Sequence, residues 1–173
     1  MAKHISLIGM MGAGKSSVAP ILAASLQRSV IEVDALIEEK EGMPIGEIFM
    51  AKGEAYFRRV EGETIARLLQ EPPAVLSLGG GAFMWDPTRN LLLAETVVFY
   101  LCGTLETLCA RVASGAANRP LLSLSEVSLE ETMKALLEKR TPYYTLAHYR
   151  VETDLHSPEE VAQAIVIMRQ SYD

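Results

Sequence analysis

Gly9-Met10-Met11-Gly12-Ala13-Gly14-Lys15-Ser16 satisfies the pattern G-x-x-x-x-G-K-[ST] at every fixed position. Each of those positions has a task in holding a polyphosphate. The glycines let successive backbone N–H groups face inward around phosphate oxygens, and the start of a following helix adds partial positive charge. Lys15 is long enough to reach the β- and γ-phosphates, and the Ser16 hydroxyl can join the ligand shell of a Mg²⁺ ion. The flanks agree. Lys3 to Ile8 is a short apolar stretch suited to a buried strand, and Ser17 to Leu26 carries an apolar helical pattern. A plain glycine turn between strand and helix would need neither the lysine nor the serine in register. The octapeptide therefore implies binding of a nucleoside triphosphate and leaves the phosphate acceptor open.

Further along, four groups of residues could choose that acceptor. Ile31-Glu32-Val33-Asp34 reads as the end of a second strand, where alternation puts Glu32 and Asp34 on one face. At the carboxyl edge of a parallel sheet, one such carboxylate can hold Mg²⁺ directly or through water, and the other can orient a substrate hydroxyl. Equally, Asp34 could cap the next helix. Arg58 lies four residues after Glu54 and three before Glu61. It suits either intrahelical ion pairs or a bidentate clamp on a planar carboxylate. Leu78-Gly79-Gly80-Gly81-Ala82 contains more glycine than a tight turn requires and would let a ligand lie against the backbone, with a plain turn as the alternative. Arg140 reads as the end of a helix, where the helix dipole alone would favour a cation.

Positioning these residues falls to an alternation of strands and helices. Strands are expected at 3–8, 30–34, 74–78, 96–101 and 149–153, and helices at 15–27, 35–41, 45–51, 54–70, 104–113, 128–140 and 158–171. The short apolar strands suit a parallel sheet buried on both faces. Pro142 is expected to end its helix near Arg140. Ser157 and Pro158 read as N-cap and first residue of the last helix. Pro20 should kink the first helix. Residues 113–122 are small and glycine-containing. They read as a mobile lid or an ordinary surface loop, and in a phosphotransferase Arg119 within them could reach over the transferring group. Arg111 could stack on a base or be solvated. His4, His148 and His156 are scattered and receive no catalytic role, and Trp85 reads as packing.

Composition narrows the class. The 173 residues suit one domain, 49% of them are apolar, and the net charge is −6. That balance lacks the basic footprint of a nucleic-acid binder, so an anionic substrate must be held by a few placed cations. No apolar run approaches the roughly 18 residues of a membrane span. The first strand starts so early that no leader peptide is expected. Cys102 and Cys109 fit buried thiols in a reducing cytoplasm rather than a disulfide framework or a zinc site.

The loop at 9–16, the acidic end of strand two, Phe57-Arg58-Arg59-Val60-Glu61, the glycine run at 79–81, Arg119-Pro120-Leu121-Leu122 and Lys139-Arg140-Thr141-Pro142-Tyr143-Tyr144 occur in this order. Together they resemble the shikimate kinase family over nearly the whole chain. The resemblance implies a single α/β kinase domain over 1–173 of the nucleoside-monophosphate-kinase type. Its core would be a doubly wound, five-stranded parallel sheet in order 2-3-1-4-5, with a substrate-binding helical segment at about 35–62 and a mobile lid at about 112–124. It implies transfer of the ATP γ-phosphate to the 3-hydroxyl of shikimate with Mg²⁺, in a cytoplasmic enzyme expected from its size to be a monomer. It assigns nucleotide contacts to Gly12, Ala13, Gly14, Lys15, Ser16, Ser17, Arg111, Arg119 and Pro158. Asp34 would orient or deprotonate the acceptor hydroxyl, with Lys15 and Arg119 also catalytic. Arg58 and Arg140 would bind the shikimate carboxylate, Gly79, Gly80 and Gly81 would contact the substrate, and Ser16 and Glu32 would hold the metal. The family's usual Asp-x-Asp at the end of strand two is here Glu32-Val33-Asp34, one methylene longer at the metal. The rival readings are a gluconate or nucleoside-monophosphate kinase of the same fold, and a non-catalytic nucleotide-binding relative.

Overall fold

The computed structural model describes residues 3–115 and 128–172. Its centre is a five-stranded parallel sheet in the order β2-β3-β1-β4-β5. The strands are β1 (His4–Ile8), β2 (Val30–Glu32), β3 (Val75–Ser77), β4 (Thr96–Cys102) and β5 (Tyr149–Glu152). Every residue of β1, β3 and β4 is buried, as a parallel sheet covered on both faces requires. Registers such as Leu7 with Ser77 and Phe99 bring the carboxyl ends to one edge. The helices are α1 (Lys15–Ser25), α2 (Val33–Glu41), α3 (Ile45–Lys52), α4 (Glu54–Leu68), α5 (Asp86–Glu95), α6 (Leu105–Ser114), α7 (Leu129–Tyr144) and α8 (Pro158–Gln170), with one 3₁₀ turn at Ala82–Met84. Helix α1 packs on α8, and α2, α3 and α4 pack on one another. None of the described helices is long and apolar enough to cross a membrane.

Four local expectations change. Strand β2 stops at Glu32, and Val33 and Asp34 form the first turn of α2. Val33 is fully buried beneath that turn, so its apolar character reflects helix packing rather than strand alternation. Helix α5 was not expected, although Asp86 and Pro87 in its first turn are ordinary start signals. Helix α7 runs past Pro142 to Tyr144. Tyr144 is completely buried and donates a 2.6 Å hydrogen bond to the Gly80 carbonyl, an anchor that offsets the missing proline donor. Helix α6 extends to Ser114, so residues 112–114 of the expected lid are helical, while 116–124 lie outside the described residues.

Two histidines serve the sheet. Nδ1 of His4 accepts the Ala74 N–H at 3.2 Å while Nε2 faces the Glu71 carbonyl at 3.2 Å, and Nδ1 of His148 accepts the Val98 N–H at 3.0 Å. Burial lowers both pKa values, in keeping with neutral rings that accept backbone donors.

Pro20 lies inside α1, which is continuous through it. Its missing N–H leaves the Ser16 carbonyl without a helical donor, and both residues are exposed, so water can serve. Proline is about 3 kcal/mol less favourable than alanine inside a helix, of which up to about 1 kcal/mol is returned through the stiffer unfolded chain. Pro20→Ala is therefore expected to stabilise the fold by about 2 kcal/mol, seen as a raised Tm. An unchanged or lowered Tm would contradict this.

Candidate active site

Strand β1 runs directly into the phosphate-loop octapeptide. Gly14, at φ 91°, is the N-cap of α1, a left-handed conformation that glycine adopts without steric cost. Lys15 follows it, and its Nζ donates to the carbonyls of Gly9 at 2.8 Å and Met10 at 3.0 Å, so the ammonium is drawn over its own loop. Ser16 and Ser17 occupy the exposed first turn of α1. Arg111 on α6 braces the loop from outside. It donates to the Gly12 carbonyl at 3.3 Å, the Thr153 hydroxyl at 2.9 Å and the Thr153 carbonyl at 2.7 Å. It is therefore neither solvated nor idle, and it ties the loop to the end of β5. Pro158 is the first residue of α8, behind a capping box made by Ser157 and Glu160.

The acceptor side is organised by the three glycines that follow β3. A Cβ placed on Gly79 would lie 2.7 Å from both carboxylate oxygens of Asp34. One placed on Gly80 would lie 2.6 Å from an Arg140 guanidinium nitrogen, and one on Gly81 would collide with the Arg58 guanidinium. Consecutive glycines thus each receive one charged side chain, from α2, α7 and α4 in turn. Any larger residue at these positions would push that side chain away. A tight turn does not explain this; close approach does. The Gly80 carbonyl is held by Tyr144, whose ring lies 4.9 Å from that of Tyr100. Burial pushes the Tyr144 phenol up to about 12, so it remains a donor.

Asp34 reaches this place from the first turn of α2, not from a strand face. It caps nothing, because α2 has no side-chain cap bond. Its Oδ1 is buried and finds no hydrogen-bond partner among the described residues. Burial raises its pKa, against the opposing pull of Lys15 and Arg58. A buried acceptor atom with a raised proton affinity is suited to a substrate hydroxyl. Glu32 closes β2, and Ser16 is the second residue of α1, at the same edge of the sheet.

Arg58 makes the intrahelical ion pairs that its spacing allows, in a setting unlike a surface pair. It forms ion pairs with Glu61 at 2.7 Å and with Glu54 at 3.4 Å. Yet Arg58 is only 9% exposed and Glu61 is fully buried, unlike a surface pair. The guanidinium carbon also lies 5.1 Å from the Phe57 ring centre and 5.9 Å from that of Phe49, within range of cation–π attraction. The spacing of Glu61 marks it only as a pairing partner, and a helix as polar as α4 gives no sign of its burial. Its Oε1 has no partner among the described residues, and burial raises its pKa to about 7 despite Arg58. Trp85, expected to pack, is 43% exposed and borders a groove with Ala55, Arg58 and Pro87. Arg119 lies outside the described residues.

Known proteins resemble this chain over nearly its whole length. The family model described as shikimate kinase matches residues 11–169. The shikimate kinase of Zymomonas mobilis is 40% identical over 165 residues, spanning 95% of this chain and 92% of that one. The structure of a shikimate kinase from Acinetobacter baumannii in complex with shikimate aligns with a TM-score of 0.90 at 35% identity, covering 100% of this chain and 96% of that one. A gluconokinase from Sinorhizobium meliloti aligns with a TM-score of 0.59 at 17% identity over 98% of this chain and 96% of that one, a likeness of fold alone.

The buried Arg58–Glu61 pair has a consequence for stability. A carboxyl whose pKa rises from 4.5 to about 7 in the fold binds its proton more tightly when native. Its contribution is thus fully present below 4.5 and is lost as pH rises through 7. Glu61→Gln removes that titration. The Tm of the variant minus that of the wild type is expected to increase between pH 5 and pH 8. A difference that is flat or falls over this range would show that Glu61 is ionised throughout.

Proposed function

The chain belongs to the shikimate kinase family, and from that premise we propose that it transfers the γ-phosphoryl group of ATP to the 3-hydroxyl of shikimate. The observation that carries this reading is the convergence of Asp34, Arg140 and Arg58 on Gly79, Gly80 and Gly81 beside the phosphate loop. An acceptor for that place needs a carboxylate for the two arginines and hydroxyls for the aspartate. A nucleotide has no carboxylate for the arginines; a sugar acid has one, and against it stands the family match to shikimate kinases.

Phosphoryl transfer asks the protein for alignment and for neutralisation of spreading negative charge. The glycine loop and Lys15 hold the triphosphate. Arg58 and Arg140 fix the acceptor carboxylate, the second planar and bidentate contact limiting its rotation. The glycine backbone brings the acceptor ring close to Asp34. The carboxylate of Asp34 then accepts the hydrogen of the 3-hydroxyl, and its raised proton affinity makes it a better acceptor as the oxygen attacks phosphorus. Arg111 holds the outer wall of the loop, and Pro158 lies on the nucleotide side of the same edge.

Ser16 and Glu32 are hard oxygen donors of the kind Mg²⁺ takes while it keeps most of its water, so they would hold the ion that accompanies ATP. When bound, it neutralises charge on the β- and γ-phosphates. The longer arm of Glu32 fits a contact made through water.

The test is ADP release with ATP and Mg²⁺, with and without shikimate. Release that depends on shikimate is expected; ADP formed only with another acceptor would overturn the assignment. In Asp34→Asn, turnover should fall by at least about 100-fold with ATP binding intact. Near-normal turnover would remove Asp34 from the mechanism.

A further inference from the structure

Arg58 stands on α4, but part of its seat belongs to α3, through Phe49. Rings of Phe49 and Phe57 lie 4.8 Å apart, and the Arg58 guanidinium lies over both. The relation between α3 and α4 therefore bears on where the guanidinium points. The backbone link that sets that relation is short. A single residue, Gly53, joins the two helices. It adopts φ 82° and ψ 164°, and a Cβ there would meet nothing within 4 Å. No side chain packs at this pivot, which is held at the joint itself by backbone hydrogen bonds alone, from the Gly53 N–H to the Phe49 carbonyl at 3.0 Å and from the Phe57 N–H to the Gly53 carbonyl at 3.3 Å.

Side chains span the pivot from outside. Lys52, the last residue of α3, donates to Glu41 Oε2 at 2.7 Å, and the Tyr56 hydroxyl, from the first turn of α4, donates to the same oxygen at 3.0 Å. Lys52 also approaches the Tyr56 hydroxyl at 3.3 Å and lies 4.6 Å from its ring centre. Glu41 is the last residue of α2, and its side chain is only 9% exposed. Three helix ends thus meet on one carboxylate oxygen. A second tie helps: Glu38 Oε1 accepts the Ile45 N–H at 2.9 Å, capping α3, whose N-cap Pro44 offers no side-chain acceptor. The Lys52 and Tyr56 bonds hold the Glu41 carboxyl below its ordinary range. The side chains nearest the glycine run are those of Asp34, Arg140, Tyr144 and Arg58, not these three.

We infer that Glu41, Lys52 and Tyr56 form a brace across the Gly53 pivot that positions Arg58 for the acceptor carboxylate. They are positioning residues, and the inference rests on the shikimate kinase reading of the site. Loosening the brace lets α3 swing, Phe49 leaves the guanidinium, and the acceptor loses affinity. The nucleotide loop, built on β1 and α1, is untouched.

The test uses the full chain with Lys52→Met, Tyr56→Phe, Lys52→Glu and the charge exchange Glu41→Lys with Lys52→Glu. Amide hydrogen exchange is read without substrates, and kcat and both KM values are read with ATP and shikimate. In Lys52→Met and Tyr56→Phe, exchange within α3 should accelerate at least about fivefold with α8 unchanged. The shikimate KM should rise about threefold to tenfold, with the ATP KM and kcat near wild type. The charge exchange should recover most of the loss seen in Lys52→Glu. Wild-type exchange and KM in the single variants would overturn the brace. So would equal rises in both KM values, or a charge exchange no better than Lys52→Glu alone. A wild-type protein that forms no shikimate-dependent ADP would overturn the substrate reading instead. The exchange rates of α3 would then decide the brace by themselves.

Discussion

Bringing an aspartate and two arginines into contact with one short stretch of main chain is possible only where that stretch carries no side chains. Gly79, Gly80 and Gly81 meet that condition, one glycine for each charged group. The rest of the acceptor side follows from it. Helix α2 must begin early enough to deliver Asp34, α4 must present Arg58, and α7 must deliver Arg140 and then continue past Pro142 to pin the Gly80 carbonyl with Tyr144. The parallel sheet supplies the common edge at which three helices can meet a loop beside the triphosphate cradle.

Charge burial at this edge is managed by pairing rather than by solvent. Arg58 is held between Glu61 beneath it and two aromatic faces beside it. A nearly buried guanidinium without such partners would be strongly destabilising. Asp34 is left with one buried oxygen that finds no partner among the described residues. Polar groups of that kind are uncommon in stable cores, and this one lies against Gly79, on the run that also receives Arg140 and Arg58. Arg111 plays the corresponding part on the nucleotide side, where its hydrogen bonds join the phosphate loop to the end of β5.

Much of this was legible in the residues themselves. Buried parallel strands read as short apolar runs, so their number emerged, while their order came from the family resemblance; the octapeptide at 9–16 carried its own chemistry. The misses share a cause: tertiary burial decided between local alternatives. Val33 looks like a strand residue, and only its burial under α2 makes it helical. Pro142 looks like a helix terminator until Tyr144 beyond it finds a fully buried seat. Glu61 looks like an ordinary partner three residues from Arg58, and nothing in its spacing says that it is the most enclosed carboxylate of α4. The brace on Glu41 was equally silent, because its members are separated in sequence and meet only when two glycine-ended helices fold back on a third.

The central claim is that the glycine run exists so that charged side chains can touch its backbone. Gly80→Ala tests it most directly, by calorimetric titration of shikimate and of ATP into the folded variant. A Cβ 2.6 Å from the Arg140 guanidinium should weaken shikimate binding by at least about tenfold, or 1.4 kcal/mol, with ATP binding and Tm close to wild type. Shikimate affinity retained in full by the folded variant would contradict the account.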